Sequence, residues 1–259
     1  MLATLRLPDT DVSCASGGST VAIVSLRVDG PNLTTLLEPG PGHRLGCVRS
    51  LGELDIDTGA DAAWLLIESG LGSVTLDGEC HTAGGRADVF EGVGWSALLA
   101  PGTTARVDGD VRCALVWRTF LDGDDDSRAP TGVIDPGAVA DEVRGDGPTQ
   151  RRVRTYASDG SLSVGETLNP PGGWSSWPPH SHAHEEIYLY RFAPTHGFGV
   201  HVDLAGQTAV VRDGDIKRIT TGEHPVVAAP GFEMYYLWAL AGESPLVETQ
   251  VAEQWRRET

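Results

Sequence analysis

Short runs of Val, Leu, Ile, Trp and Tyr recur along the chain, each broken by Gly, Pro or Asp. They are Thr20–Val28, Ala63–Glu68, Gly72–Leu76, Trp95–Ala100, Cys113–Phe120, Glu186–Phe192, Thr208–Arg212, Pro225–Ala229 and Met234–Leu240. Runs of this length, bounded by turn formers, predict strands. Asp77-Gly78, Asp108-Gly109 and Asp213-Gly214 predict tight hairpin turns, because both residue types tolerate positive φ. Only Pro136–Arg144 predicts a short helix, with Asp135 as its N-cap and Pro136 at the first helical position. The expected class is all-β, a sandwich or a barrel.

The pattern also doubles. Leu98-Leu99-Ala100-Pro101-Gly102 is matched by Val227-Ala228-Ala229-Pro230-Gly231, and Pro101 and Pro230 lie 129 positions apart in a chain of 259. An offset of half the length predicts two similar β units. The acidic, turn-rich stretch Asp122–Pro130 sits at the midpoint and reads as a solvated linker or loop. The expected division is an N-terminal unit over 1–125, a joining segment over 126–150 and a C-terminal unit over 151–259.

Charge narrows the function. Nineteen basic residues face 36 acidic ones, a net charge of −17, and Lys217 is the only lysine. A nucleic-acid or anionic-membrane surface needs clustered cations, so neither partner is expected. No stretch approaches the roughly 18–20 apolar residues of a membrane span. The first residues lack the long apolar core of a signal peptide, which predicts a cytoplasmic protein. Cys14, Cys47, Cys80 and Cys113 form no CxxC pair and read as ordinary reduced thiols.

Six of the eight histidines lie after residue 179, densest in Pro179-His180-Ser181-His182-Ala183-His184-Glu185-Glu186. On a strand, residues two apart share a face, so His180 and His182 project together and His184 or Glu186 follows. One strand cannot wrap an ion; His224, in Gly222-Glu223-His224-Pro225, is the candidate from a distant turn. Imidazole and carboxylate suit Zn, Mn, Fe, Co or Ni, and such a set leaves open positions for substrate or water. The N-terminal half holds only His43 and His81 and has no HxH. It is expected to be a metal-free scaffold or oligomer contact.

Several segments resemble the 5-deoxy-glucuronate isomerases of inositol catabolism. They are Pro171-Gly172-Gly173-Trp174-Ser175-Ser176-Trp177-Pro178-Pro179-His180-Ser181-His182, Glu185-Glu186-Ile187-Tyr188-Leu189-Tyr190-Arg191, Gly197-Phe198-Gly199, Asp213-Gly214-Asp215 and the stretch from Gly222 to Gly231. The resemblance covers roughly 60–245 and implies a bicupin, two double-stranded β-helix barrels in one chain. It implies a divalent metal (Mn, Zn or Fe) at His180, His182, Glu186 and His224. The implied reaction is aldose–ketose isomerisation of a small sugar acid, 5-deoxy-glucuronate to 5-dehydro-2-deoxy-gluconate. The chain departs from the family in carrying only Ala183 and His184 where a longer acidic insertion is usual. The hairpin after Gly199 is shorter, His201 stands in place of an amide, and Thr220-Thr221 replaces a Pro-acid pair. Loops over a barrel mouth set substrate choice.

For the proton-transferring base, the candidates are Glu166, at an acidic position of the family, His201, His184 and Glu185. Alternation puts Tyr188 and Tyr190 on the face of Glu186, as a catalytic and a substrate contact, and turns Arg191 away. Arg152, Arg154 and Lys217 are the cations available for a substrate carboxylate; Trp174, Trp177 and Tyr236 serve packing or sugar contact. The same ligand shell with Fe(II) would support dioxygen or lyase chemistry, and a sensor of sugar acids is a third reading. A homo-oligomer is expected, since closed symmetric assemblies are common among soluble enzymes.

Overall fold

The computed structural model describes residues 26–120, 131–158, 162–203, 208–220, 222–241, 250–251 and 253–255. Among them the regular structure is strand, apart from 3-10 turns at Pro136–Ala138, Gly147–Thr149 and Glu253–Trp255. No helix among the described residues is long and apolar enough to cross a membrane.

In the first half, two long strands, Ala62–Leu76 and Thr104–Arg118, pair antiparallel from Ala62 opposite Arg118 to Leu76 opposite Ala105. The strands Leu45–Leu51, Leu54–Asp57, Glu79–Gly84 and Ser96–Leu99 join them in one sheet that curls around its own core. In the second half, Glu233–Ala241 lies between Leu162–Asn169 and Glu185–Ala193 in a six-stranded sheet. A four-stranded sheet of Trp174–Ser175, Val226–Ala228, Phe198–His201 and Ala209–Arg212 closes over it.

Three apolar cores result. One fills the first barrel and one the second; the third lies between them, where Leu45, Trp64, Leu66 and Val116 meet Val164, Ile187, Leu189 and Leu237. Alternation explains the layering: Ile187 and Leu189 face the other barrel, whereas Tyr188 and Tyr190 face inward. The strand Leu162–Asn169 is buried along its whole length because both of its faces are covered.

The duplication is visible in this frame. Ser96–Leu99 and Val226–Ala228 each run into a Pro-Gly turn, with Gly102 and Gly231 at φ of 81° and 88°. Each turn delivers the chain to a central strand carrying a tryptophan. Trp117 is flanked by Gly46 and Ala63, and Trp238 by Gly165 and Tyr188. A Cβ on Gly46 or Gly165 would meet the facing indole at 2.2 or 2.1 Å, so only glycine fits either place.

Several local expectations need correction. Ala63–Glu68 and Gly72–Leu76 are one strand, carried across a bulge between Ile67 and Ser69. Asp77-Gly78 does turn a hairpin, with φ of 46° and 89°. Asp108-Gly109 instead lies inside Thr104–Arg118: Gly109 faces Gly72, and a Cβ there would come within 2.7 Å of the Gly72 Cα. Asp213-Gly214 carries the chain from the four-stranded to the six-stranded sheet rather than closing a hairpin. Asp135 caps one 3-10 turn through Gly137 N–H at 2.7 Å, and Asp141–Arg144 then pairs as a strand with Arg151–Ala157. The Pro136–Arg144 window has Gly137 in its first turn and no continuous apolar face, so a longer helix has nothing to pack. Of the joining segment, Gly132–Ile134 adds to the first sheet and Asp141–Arg144 to the second. The acidic midpoint is described only from Thr131 onward, and Cys14 and most of Thr20–Val28 lie outside the described residues. Cys47, Cys80 and Cys113 are free thiols.

Candidate metal centre

The HxH segment and Glu186 belong to different elements. His180–Ser181 pairs with Gln250–Val251, the chain bends over 182–184, and Glu185 begins the next strand. The bend folds His182 back over Glu186, and the turn before Val226–Ala228 brings in His224. His182 Nε2 lies 3.0 Å and His224 Nε2 3.2 Å from the same Glu186 oxygen, Oε2. Ligand atoms of these three residues all lie within 4.8 Å of one another. The side chains of His182, Glu186 and His224 are only 4, 6 and 2 % exposed. His180 stands beside the trio, its ring centroid 5.1 Å from that of His224 and 6.4 Å from that of His182.

Backbone carbonyls orient all three imidazoles. His180 Nδ1 is 2.9 Å from Pro178 O, His182 Nδ1 2.7 Å from His184 O, and His224 Nδ1 3.0 Å from Gly222 O. A carbonyl only accepts, so each Nδ1 donates and each Nε2 is turned toward the cluster. The Nε2 of His224 is buried and has no hydrogen-bond partner of good geometry among the described residues. Two ring nitrogens converging on one carboxylate oxygen require positive charge between them, from ring protons or a bound cation. Burial opposes the charged form of Glu186, but the His182 and His224 rings facing it outweigh burial and hold its pKa down at about 2. An ionised carboxylate with two imidazoles turned Nε2-first is a donor set that fits a first-row divalent ion.

Below the trio the barrel wall is aromatic and hydroxylic. Tyr188 packs 4.3 Å from Tyr236 between ring centroids, and its hydroxyl lies 2.8 Å from Ser176 Oγ. Tyr236 donates to Ser175 Oγ at 3.0 Å, and Tyr190 OH lies 2.8 Å from His201 Nδ1. Burial raises the Tyr188, Tyr190 and Tyr236 hydroxyls above the ordinary phenol value, so they stay protonated. His201 is also buried; burial first, then the positive charge of the His224 ring and Lys217, pushes it down to about 4. Ser175 and Ser176 carry no residue-type signal for this role. Ser176 is distinctive only in its backbone, a non-glycine residue at φ 50°.

Other expected participants lie elsewhere. Glu166 and Arg154 point away from the trio, into the layer between the barrels. Glu166 is bound by Arg86 at 2.7 and 3.2 Å, by Arg154 at 3.2 Å, and by the hydroxyls of Tyr156 and Tyr235, each at 2.9 Å. Arg154 Nε lies 3.1 Å from Asp141, to which Arg152 is also paired. Thus Glu166 is not placed to move a substrate proton, and Arg154 and Arg152 are not placed to hold a substrate carboxylate. Glu185 accepts from Arg44 N–H at 2.6 Å and lies 2.8 Å from Arg218, again between the halves. His184 reaches the trio through its carbonyl. Arg191 turns away from the site as alternation predicts, to Asp213 at 2.9 Å and Glu68 at 3.5 Å, and Arg49 approaches the same Glu68 at 3.0 Å.

The model of the KduI/IolB family matches residues 51–256. The chain belongs to the KduI/IolB family. Among its relatives, the 5-deoxy-glucuronate isomerase of Geobacillus kaustophilus is 39 % identical over 131 residues, 44 % of this chain and 48 % of that protein. The chain therefore spans about half the length of the curated relatives it matches at the highest identity. The 5-deoxy-glucuronate isomerase of Shouchella clausii is 30 % identical over 194 residues, 66 % of this chain and 70 % of that protein. An IolB-like protein from Salmonella typhimurium superposes with a TM-score of 0.75 at 26 % identity, covering 87 % of this chain and 98 % of that one. The KduI/IolB fold is thus the bicupin that the sequence motifs imply, and in this member of the family the histidine–glutamate cluster belongs to the second barrel.

Proposed function

We propose that this chain is a metal-dependent aldose–ketose isomerase of a sugar acid, with 5-deoxy-glucuronate as substrate. One observation carries the reading: His182, Glu186 and His224 converge, backbone-oriented, above a wall of hydroxyls inside the barrel. The relatives, 5-deoxy-glucuronate isomerases, supply the substrate class. His182, Glu186 and His224 would hold the metal, with His180 as the fourth ligand. A divalent ion held by these residues would supply Lewis-acid stabilisation of negative charge developing on the substrate's oxygens.

The protein's own groups handle the proton. His201 is buried and neutral, its Nδ1 2.8 Å from the Tyr190 hydroxyl; in the tautomer whose Nδ1–H donates to that hydroxyl, Nε2 is the nitrogen that accepts the proton. The electron pair of the broken C–H bond becomes the C=C of an enediol as the carbonyl π pair moves onto its own oxygen, which takes the proton given up by the adjacent hydroxyl. The imidazolium then returns its proton to the former carbonyl carbon as the other oxygen becomes the new carbonyl. Tyr188, protonated and anchored on Ser176, is a hydrogen-bond donor beside the His224 ring, 6.0 Å between centroids. The surrounding aromatic rings limit water, which protects an enediol from side reactions.

Proton NMR of 5-deoxy-glucuronate in deuterated water with zinc-loaded protein tests the reading. Conversion to the ketose with deuterium at the new methylene is expected. Zinc-replete protein that leaves the aldehyde unchanged overturns the substrate assignment. Oxygen uptake by Fe(II)-loaded protein with the same compound would replace isomerisation by oxygen chemistry.

A further inference from the structure

A sugar acid presents two ends, and the metal cluster accounts for only one. We infer that Lys217 is the anchor for the other end, a carboxylate. This deepens the isomerase reading and rests on it for the identity of the substrate.

The argument begins with strand register. Ile216–Ile219 pairs with Glu185–Ala193 so that Glu186 faces Ile219, Ile187 faces Arg218 and Tyr188 faces Lys217. Residues directly opposite in a pair share a face. Glu186, Tyr188 and Ile219 point into the second barrel; Ile187 belongs to the core between the barrels. Arg218 follows Ile187, donating to Glu38 O at 2.7 Å and Leu45 O at 3.0 Å. Lys217 must therefore project with Tyr188, into the barrel. It stands diagonal to Glu186, a separation of about 7–8 Å between neighbours that long side chains span. Lys217 lies close enough to the His201 ring for its charge to contribute, after burial and the His224 ring, to the lowered pKa of His201.

Other cations of this sheet are already engaged. Arg154, Arg152, Arg191 and Arg218 are all engaged with carboxylates on the other face of their sheet. Lys217 has no carboxylate within 4.0 Å among the described residues, and it is only partly buried. It is the sole lysine of a chain carrying −17, set at an edge strand of the barrel that holds the metal ligands. An ammonium is a compact point charge on a long stem, suited to a carboxylate arriving through a mouth.

A single lysine is also a single reporter. Protein labelled with 13C at lysine Cε gives one side-chain signal, read here in zinc-loaded full-length protein. D-glucuronate should shift that signal and D-glucose should not, in protein that turns over nothing else. Kinetically, Lys217→Met should lower the preference for 5-deoxy-glucuronate over its uncharged amide by about 10–100-fold, as for loss of one charge-assisted bond. Lys217→Arg should recover part of it. If wild-type protein fails to convert 5-deoxy-glucuronate yet its lysine signal still answers glucuronate and not glucose, the isomerase reading falls and the anchor stands. If wild type converts the substrate while the signal stays still and Lys217→Met keeps the acid preference, the anchor is wrong and the isomerase stands.

Discussion

Trp117 and Trp238 occupy the same place in the two halves, yet the side chains beside them differ. Counting from each tryptophan, Ala63, Leu65 and Ile67 of the first barrel stand where Tyr188, Tyr190 and Phe192 stand in the second. Cys113 and Leu115 stand where Met234 and Tyr236 do. Trp95, at the offset of the Pro-Gly turns, stands where His224 does and fills the first core. Asp61 takes the place of Glu186, but its carboxylate accepts the Leu26 N–H at 2.9 Å, and burial raises its pKa where that of Glu186 is lowered. The frame thus fixes where a side chain points, and residue type alone decides whether a barrel is an apolar core or a site.

The largest break in this comparison should come from exchanging roles at the matched pair. His224→Ala is expected to strip the metal and cut turnover on the order of 1,000-fold or more, with little change in stability. Trp95→Ala should keep full metal content and cost about 3–5 kcal/mol of stability, by emptying a core position. Metal analysis and urea unfolding read both; a His224→Ala protein that stays metal-replete would count against the ligand assignment.

Next in size is the layer shared by the barrels. Glu166→Gln leaves two buried guanidinia facing a neutral amide and should cost about 3–5 kcal/mol. Adding Arg86→Met should restore part of that loss, since it removes a charge rather than stranding one. Were Glu166→Gln instead as stable as wild type but inactive, Glu166 would have to return to the chemistry.

A smaller effect is expected at Tyr188 and Ser176. Tyr188→Phe should lower kcat about 10-fold and leave metal content alone. Ser176→Gly removes the hydroxyl yet suits the positive φ, so kcat should fall several-fold with stability unchanged or raised. Combining the two should add little, because both act on one hydrogen bond. Full additivity would mean that Ser176 does not work through Tyr188.

The smallest concerns pH. A carboxyl whose folded pKa is raised binds more protons folded than unfolded, so stability declines as pH rises. For Asp61 that decline begins near the ordinary aspartate range and ends at its raised folded value. Asp61→Asn should flatten this slope, gaining relative to wild type as pH increases through the window. Parallel stability–pH curves would refute the burial account.

Much of this was legible in the sequence. Glycine-punctuated apolar runs pointed to the class, the repeated Pro-Gly turn to two similar units, and histidine density to His182, Glu186 and His224, although a bend over 182–184, not alternation along one strand, brings His182 to Glu186. Glu166 and Arg154 were misread for a physical reason. The strand of Glu166 is covered on both faces, and sequence says that a polar side chain is on one face without saying what that face meets. The partner that decides it, Arg86, is 80 positions from Glu166. Ser175 and Ser176 were invisible because their role comes from a backbone turn and two nearby phenols.

The layer between the barrels has an evolutionary consequence. Arg86 and Glu166, Glu68 and Arg191 each place opposite charges on opposite halves, in the dry contact that also buries Trp64 and Leu237. A second barrel cut loose by recombination would expose apolar surface and leave Glu166 and Arg191 each missing a counter-ion. The first half, which holds none of the candidate metal ligands, is therefore a structural counterpart of the second, since losing it would strand buried charge and bare apolar surface on the half that carries the candidate site.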